Sequence, residues 1–214
     1  MKRMIYGRGA ANDDLADLLH CLGTLHHDRG GGGQNTLARR HLSEALAMKR
    51  HIYGESAMNT DIAETLTNLA AVYRAGRDLD SAEGLYKGAL QMINSDREFD
   101  DMTLEAAGFH AELGTLYCMR GDAVLAQEHY KATLDMQVEL HGLGAASMDL
   151  VKALNNLGYV LALMGDYQGA ILRYGESLKM QRRLCISEDL SKEVESTQKT
   201  LDMLYEKSAE LERN

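Results

Sequence analysis

Asn68 and Asn156 are the residues of this chain best suited to chemistry with a partner molecule. A carboxamide offers a donor and an acceptor together, so it can grip a polypeptide backbone without demanding a particular sequence. More reactive chemistry is hard to assemble here. Cys21, His26 and His27 are near neighbours, but at these spacings a helix does not put three ligands on one face. Zinc sites also need closer pairing, such as Cys-x-x-Cys or histidines at i and i+4. Gly30–Gly33 is not followed by Gly-Lys-Ser/Thr, and no strand precedes it, so it reads as a flexible insertion rather than a phosphate loop. No Ser-His-Asp, Cys-His or paired-carboxylate arrangement stands out. The expectation is a chain that is not an enzyme, with no catalytic residue, metal ligand or cofactor.

The elements that must position those asparagines are set by a repeat. Met48, Met92, Met136 and Met180 are each 44 residues apart, and Met1 lies 47 before Met48, with Gly30–Gly33 accounting for the surplus. Ala38, Ala82, Ala126 and Ala170 keep the same spacing, as do Ala70, Gly114 and Gly158. A fixed period of this size marks a repeat array, whose product is usually a surface rather than a reaction vessel. The opening Met1-Lys2-Arg3-Met4-Ile5-Tyr6-Gly7 matches Met48–Gly54 in all but one place. Residues 1–12 therefore read as the tail of a preceding repeat.

Composition points to helices. Hydrophobic residues make up 45% of the 214, only 6% are aromatic, and proline is absent. Absent proline permits uninterrupted helices, and alternating β-branched runs and Asn-Gly hairpins are missing. A net charge of −9 argues against nucleic acid, which needs a basic face. No apolar run reaches the ~18–20 residues of a membrane span. The scattered Cys21, Cys118 and Cys185 imply no disulfide framework, and with no leader-like apolar core after Met1-Lys2-Arg3 the expected setting is cytoplasmic.

Each unit reads as two antiparallel helices. In the second, Ile62, Ala63, Leu66, Leu69, Ala70 and Tyr73 form one apolar stripe, a turn follows at Gly76-Arg77-Asp78, and Ala82, Leu85, Tyr86, Ala89 and Leu90 form another. Asp14, Asp61, Glu105, Asp149 and Glu193 should open the first helices. Asp78, Asp122 and Asp166 should cap the second ones, and Gly7, Gly54 and Gly142 should end them. The periodic tyrosines and methionines read as core and inter-unit packing.

The residues Leu69-Ala70…Tyr73…Ala82…Tyr86, Leu113-Gly114…Tyr117…Ala126…Tyr130 and Leu157-Gly158…Leu161…Ala170…Tyr174 resemble the tetratricopeptide pattern. The 44-residue period, with Leu66-Thr67-Asn68-Leu69 and Leu154-Asn155-Asn156-Leu157, is similar to the long form found in kinesin light chains. The closing proline of that pattern is missing, Ala145-Ala146-Ser147 replaces the proline-containing loop, and the light-chain coiled coil is absent. The resemblance implies an all-α, right-handed α-solenoid of antiparallel helix pairs, a tetratricopeptide-like superhelix. Its expected segments are the remnant at 1–12, repeats at 13–58, 59–102, 103–147 and 148–190, and a C-terminal capping helix at 191–214.

In that family the first helix of each unit lines a concave groove. The implied groove positions are Asp17, His20, Cys21, Thr24 and His27 in the first unit and Glu64, Thr67, Asn68, Ala71 and Arg74 in the second. The third offers Gly108, Ala111, Glu112, Thr115 and Cys118, and the fourth Lys152, Asn155, Asn156, Tyr159 and Ala162. Asn68 and Asn156 would hold a ligand backbone, with Asn155, Tyr159, Lys152, Glu64, Glu112 and Arg74 around them. Asp17, Glu64 and Glu112 fall in the earlier units and Lys152 in the last, which favours a peptide whose basic segment faces the N-terminal units. The expected function is non-catalytic binding of a protein or extended peptide, with neither nucleic acid nor membrane as partner. The alternative is a structural spacer or self-association segment of a larger protein, with a homodimer formed through the N-terminal remnant.

Overall fold

The structure is a computed structural model that describes residues 12–54, 59–95, 102–142, 145–184, 188–211 and 213. The remnant, apart from Asn12, lies outside the described residues, as do Gly7 and Cys185. Among the described residues there are nine helices and no strand. They are α1 (Asp13–Arg29), α2 (Gly32–Tyr53), α3 (Thr60–Ala75), α4 (Leu79–Ser95), α5 (Met102–Arg120), α6 (Ala123–His141), α7 (Met148–Leu163), α8 (Tyr167–Leu184) and α9 (Glu188–Leu211). They fall into two compact units, Met1–Asp100 with α1–α4 and Asp101–Asn214 with α5–α9. Within each unit every helix packs on the next in sequence, and in the first unit α1 also touches α3. Each unit is thus a stack of antiparallel helix pairs, the architecture of an all-α solenoid. Among the described residues no helix is long and apolar enough to cross a membrane.

The helix ends lie where the acidic and small residues place them. Asn12 Oδ1 accepts from Leu15 N at 3.1 Å and Asn59 Oδ1 from Asp61 N at 2.7 Å. Ser147 Oγ accepts from Leu150 N at 3.1 Å, so this serine caps α7 where the long-form repeat carries its proline loop. Asp14, Asp61, Glu105 and Asp149 stand in the first turns that follow. Asp78, Asp122 and Asp166 each accept from the backbone N–H three residues on, at 3.2, 3.1 and 2.8 Å. Each such cap is worth about 0.5–2 kcal/mol. In the tight turns inside the pairs, Gly121 and Gly165 have φ of 82° and 83°, and Arg77 holds the same place at 65°. A residue with a Cβ is rare in that region, so the second unit's glycines suit the turn better than Arg77 does.

Two end signals differ from expectation. α2 starts six residues before Ala38, whereas α4, α6 and α8 start three before their own alanines. The surplus residues therefore lengthen a helix, and only Gly30 and Gly31 connect α1 to α2. Glycine carries no Cβ to disfavour either state, and here Asn35 N reaches Gly31 O at 3.0 Å and continues the helical ladder. α9 begins at Glu188, so Glu193 lies in its second turn rather than opening it.

The core is a repeated contact between a small and a large residue. Ala38, Ala82, Ala126 and Ala170 are all fully buried. A Cβ added at Gly23 would meet Leu42 at 2.5 Å, at Gly114 the Tyr130 ring at 2.7 Å, and at Gly158 the Tyr174 ring at 2.9 Å. These pairs are in phase with Ala70 and Tyr86. Tyr86, Tyr117 and Tyr130 are buried as expected, whereas Tyr73 and Tyr174 are half-buried. On α9, Leu201 and Leu204 are buried and Tyr205 is exposed. Gln168 Nε2 donates to Ser208 Oγ at 2.8 Å and ties α8 to α9.

Candidate functional site

The first unit carries Glu64, Asn68 and Arg74 on α3, and Glu64 and Asn68 approach a buried histidine of α1, His20. Its Nδ1 lies 3.0 Å from Thr65 Oγ1, whose own hydroxyl donates to Asp61 O at 2.7 Å. Asn68 Nδ2 donates to His20 Nε2 at 3.1 Å, and Glu64 Oε1 stands 3.4 Å from the same nitrogen. The Thr65 and Asn68 contacts fit a ring that donates from Nδ1 to Thr65 and accepts the Asn68 amide at Nε2, an arrangement in which the exposed Glu64 carboxylate makes no hydrogen bond to the ring. One amide hydrogen of Asn68 thus fastens α3 to α1. Asp17 is also engaged: the buried Lys49 reaches its Oδ1 at 3.3 Å and Asp61 O at 3.5 Å. Tyr53 donates to Asp13 Oδ1 at 2.8 Å, and that bond, with burial adding to it, pushes the phenol up to about 12.

The second unit places Glu112 on α5 and Lys152, Asn155, Asn156 and Tyr159 on α7. Lys152, Asn156 and Tyr159 follow one another at i, i+4 and i+7, which is one face of a helix. Lys152 and Tyr159 are exposed and Asn156 is half-buried. Lys152 Nζ lies 3.6 Å from Asp149 Oδ1 on its own helix. Burial, and secondarily the nearby Tyr159, raise the Tyr174 hydroxyl. Burial likewise raises Tyr130 to about 12, with Glu112 among the lesser causes. Asn155 lines a cleft of about 220 Å³ between α7, α8 and α9. Lys152, Gln181, Glu193, Ser196 and Thr197 also line it. A larger cleft of about 530 Å³, floored by Leu134, Leu157, Leu161 and Leu172 and rimmed by Lys131 and Arg173, includes none of the expected site residues.

Gln181 was not among the expected site residues, yet it carried a signal. It is in phase with Lys49, Ile93 and Gln137, and all four are buried. A polar side chain recurring on a core stripe asks for a partner.

A second polar contact missing from the sequence reading joins α5 to α6. His110 Nδ1 and His129 Nδ1 are 2.9 Å apart, and His129 stacks on Tyr117. One ring nitrogen must carry a hydrogen and the other must not. Burial holds the His110 imidazole below its ordinary value. The unfolded chain then binds protons first as pH falls, so this contribution to stability is complete above about pH 6.5 and is lost below it, as pH falls through the folded value. The melting temperature is expected to drop from pH 7.5 to pH 5.5, and to drop less in His110→Gln. Equal drops in the two proteins, measured by circular dichroism, would contradict this.

Comparison with known proteins agrees with the geometry. Tetratricopeptide repeat models match residues 102–183 and 62–94. No curated protein matches the sequence. Among solved structures, BtubC (BKLC) from P. vanneervenii is 25% identical with a TM-score of 0.72, over 87% of this chain and 71% of that one. A Podosopora anserina protein of kinesin light chain type, with nearly identical TPR-like repeats, is 14% identical with a TM-score of 0.68, over 96% and 100%. The apo form of RapI is 14% identical with a TM-score of 0.67, over 94% and 74%. The helix pairs, their in-phase small residues and the family models lead to one assignment: this chain belongs to the tetratricopeptide repeat family, in the long-period form whose structural neighbours include kinesin light chain-like repeats.

Proposed function

We propose that this chain is a non-catalytic scaffold that holds an extended peptide of a partner protein against the first helices of its repeats. The family and its neighbours support a protein-interaction scaffold in general. The observation that carries the finer reading is the face of α7. Lys152, Asn156 and Tyr159 line up there, offering a charge, a carboxamide and a ring that the core does not bury. Asn156 serves as the backbone grip. Asn68, in phase with it, is partly committed to His20, so it contributes less to a ligand and more to the α1–α3 contact. Glu64 and Arg74 on α3 and Glu112 on α5 are the proposed contacts on the other first helices, and Asn155 lines the α7–α8–α9 cleft instead.

The test is a peptide-library pull-down followed by titration of a captured peptide. Asn156→Ala is expected to weaken binding about 5–10-fold, the loss of a hydrogen bond or two. Asn68→Ala should weaken it less and lower the melting temperature. An unchanged affinity in Asn156→Ala would refute the grip. The alternative, a self-association segment, would instead show a dimer that dissociates when residues 1–12 are removed.

A further inference from the structure

The cleft between α7, α8 and α9 holds acceptors that the protein does not satisfy. Gln181 is 1% exposed, and its Oε1 is buried without a hydrogen-bond partner among the described residues. Asn155 Oδ1 is in the same position. Both residues line the cleft. Thr197, also in its wall, donates its hydroxyl hydrogen to Glu193 O at 3.0 Å, so its oxygen has only lone pairs left to offer. Three helices therefore bring three side chains with spare acceptor capacity to the lining of one small cleft, which the exposed Glu193 also lines. A buried acceptor left unmet costs about 1–3 kcal/mol, and two neutral amide oxygens in one cleft favour a guest rich in N–H.

Charge narrows the guest further. Lys152 stands at the rim, but Asp149 lies 3.6 Å from its Nζ, and Glu193 then leaves the rim net negative. A primary ammonium is compact and carries three donors and no acceptor, which matches three acceptor side chains and a carboxylate lining one cleft. A cleft of about 220 Å³ admits an alkyl chain behind such a head group.

From this arrangement we infer that the α7–α8–α9 cleft is a binding site for a primary ammonium. On the peptide-binding reading, which this extension rests on, the group it takes is a lysine side chain of the bound peptide. Asn155 Oδ1, Gln181 Oε1 and Thr197 Oγ1 receive its three hydrogens, and Glu193 supplies the opposing charge.

The experiment uses n-butylammonium as the probe, n-butanol as its uncharged counterpart, and nitrogen-15 NMR of the full chain. Saturable shifts of the Asn155 and Gln181 side-chain amides are expected with butylammonium and not with butanol. Glu193→Gln should weaken the response several-fold. Asn155→Asp, which adds a charge in place of the amide, should tighten it several-fold, and because this change predicts a gain it cannot be mistaken for misfolding. Equal responses to the two probes, or no saturable response to either, would overturn the site. The peptide arm separates the two proposals. Captured peptides that bind equally well when their lysines become glutamine overturn the lysine assignment and leave the scaffold standing. Saturable butylammonium binding in a chain that captures no peptide does the reverse.

Discussion

Tyr86→Ala is expected to cost about 3–5 kcal/mol, the range for truncating an enclosed aromatic side chain, and to lower the melting temperature by roughly 6–20 °C at this chain length. Tyr86 is fully buried and is the largest of the fully enclosed side chains. It lies on α4, in phase with Leu42, Tyr130 and Tyr174, where each pair's second helix drives one large residue against a small one on the first. The small residue in phase on the first helix is Ala70, also fully buried. Removing the ring leaves a void that alanines cannot refill, because the neighbouring Ala82 and Ala89 have nothing longer to extend into it. In a stack whose units contact only their neighbours, damage stays close to its origin. Amide hydrogen exchange should therefore accelerate in α3 and α4 and hold steady in α7, α8 and α9. A melting temperature within about 2 °C of the parent, where a loss of this size should give several degrees, would show that the ring is not enclosed.

The same phase made most of the fold legible from the sequence, and its limits are instructive. Leu113, Gly114, Tyr117, Ala126 and Tyr130 repeat what Leu69, Ala70, Tyr73, Ala82 and Tyr86 do, so helix pairing followed from counting. The caps followed because Asp78, Asp122 and Asp166 recur beside turn residues. What the period could not report is where a polar residue has been drawn into the interior. His20 is in phase with Thr67, Ala111 and Asn155 and reads as a groove residue, yet it is buried because Thr65 and Asn68 on the neighbouring helix satisfy both ring nitrogens. That pairing spans 45 and 48 residues and depends on two side chains meeting across helices, which a stripe pattern does not encode. Gln181 was missed for the opposite reason. Its stripe is core throughout, held by Lys49, Ile93 and Gln137 in the other units, so its polarity was the signal and its position concealed it. The glycine run shows a third limit, since composition favoured a loop where backbone hydrogen bonds extended a helix.

Gly114→Val is expected to destabilise the second unit by about 1–3 kcal/mol, the typical cost of overpacking. A Cβ at this position would come within 2.7 Å of two ring atoms of Tyr130 and 3.1 Å of a third. The ring cannot simply swing aside. Tyr130 is 3% exposed, and its hydroxyl is 3.1 Å from Thr115 Oγ1 on the helix it would have to leave. Displacing it breaks that bond, a further loss of about 1 kcal/mol. Helix propensity offsets little, because valine gains only part of the ~1 kcal/mol by which glycine trails alanine. Gly158→Val provides the internal control. Its partner Tyr174 is half-buried and the approach is 2.9 Å, so that ring has room to yield and the cost should be smaller. Denaturant titration of both variants separates steric crowding from a general intolerance of β-branched residues in these helices. Equal losses would favour intolerance, whereas a larger loss at Gly114, relieved by adding Tyr130→Leu, would place the cost in the ring contact. The leucine has a precedent in the chain itself, since Leu42 occupies this place opposite Gly23.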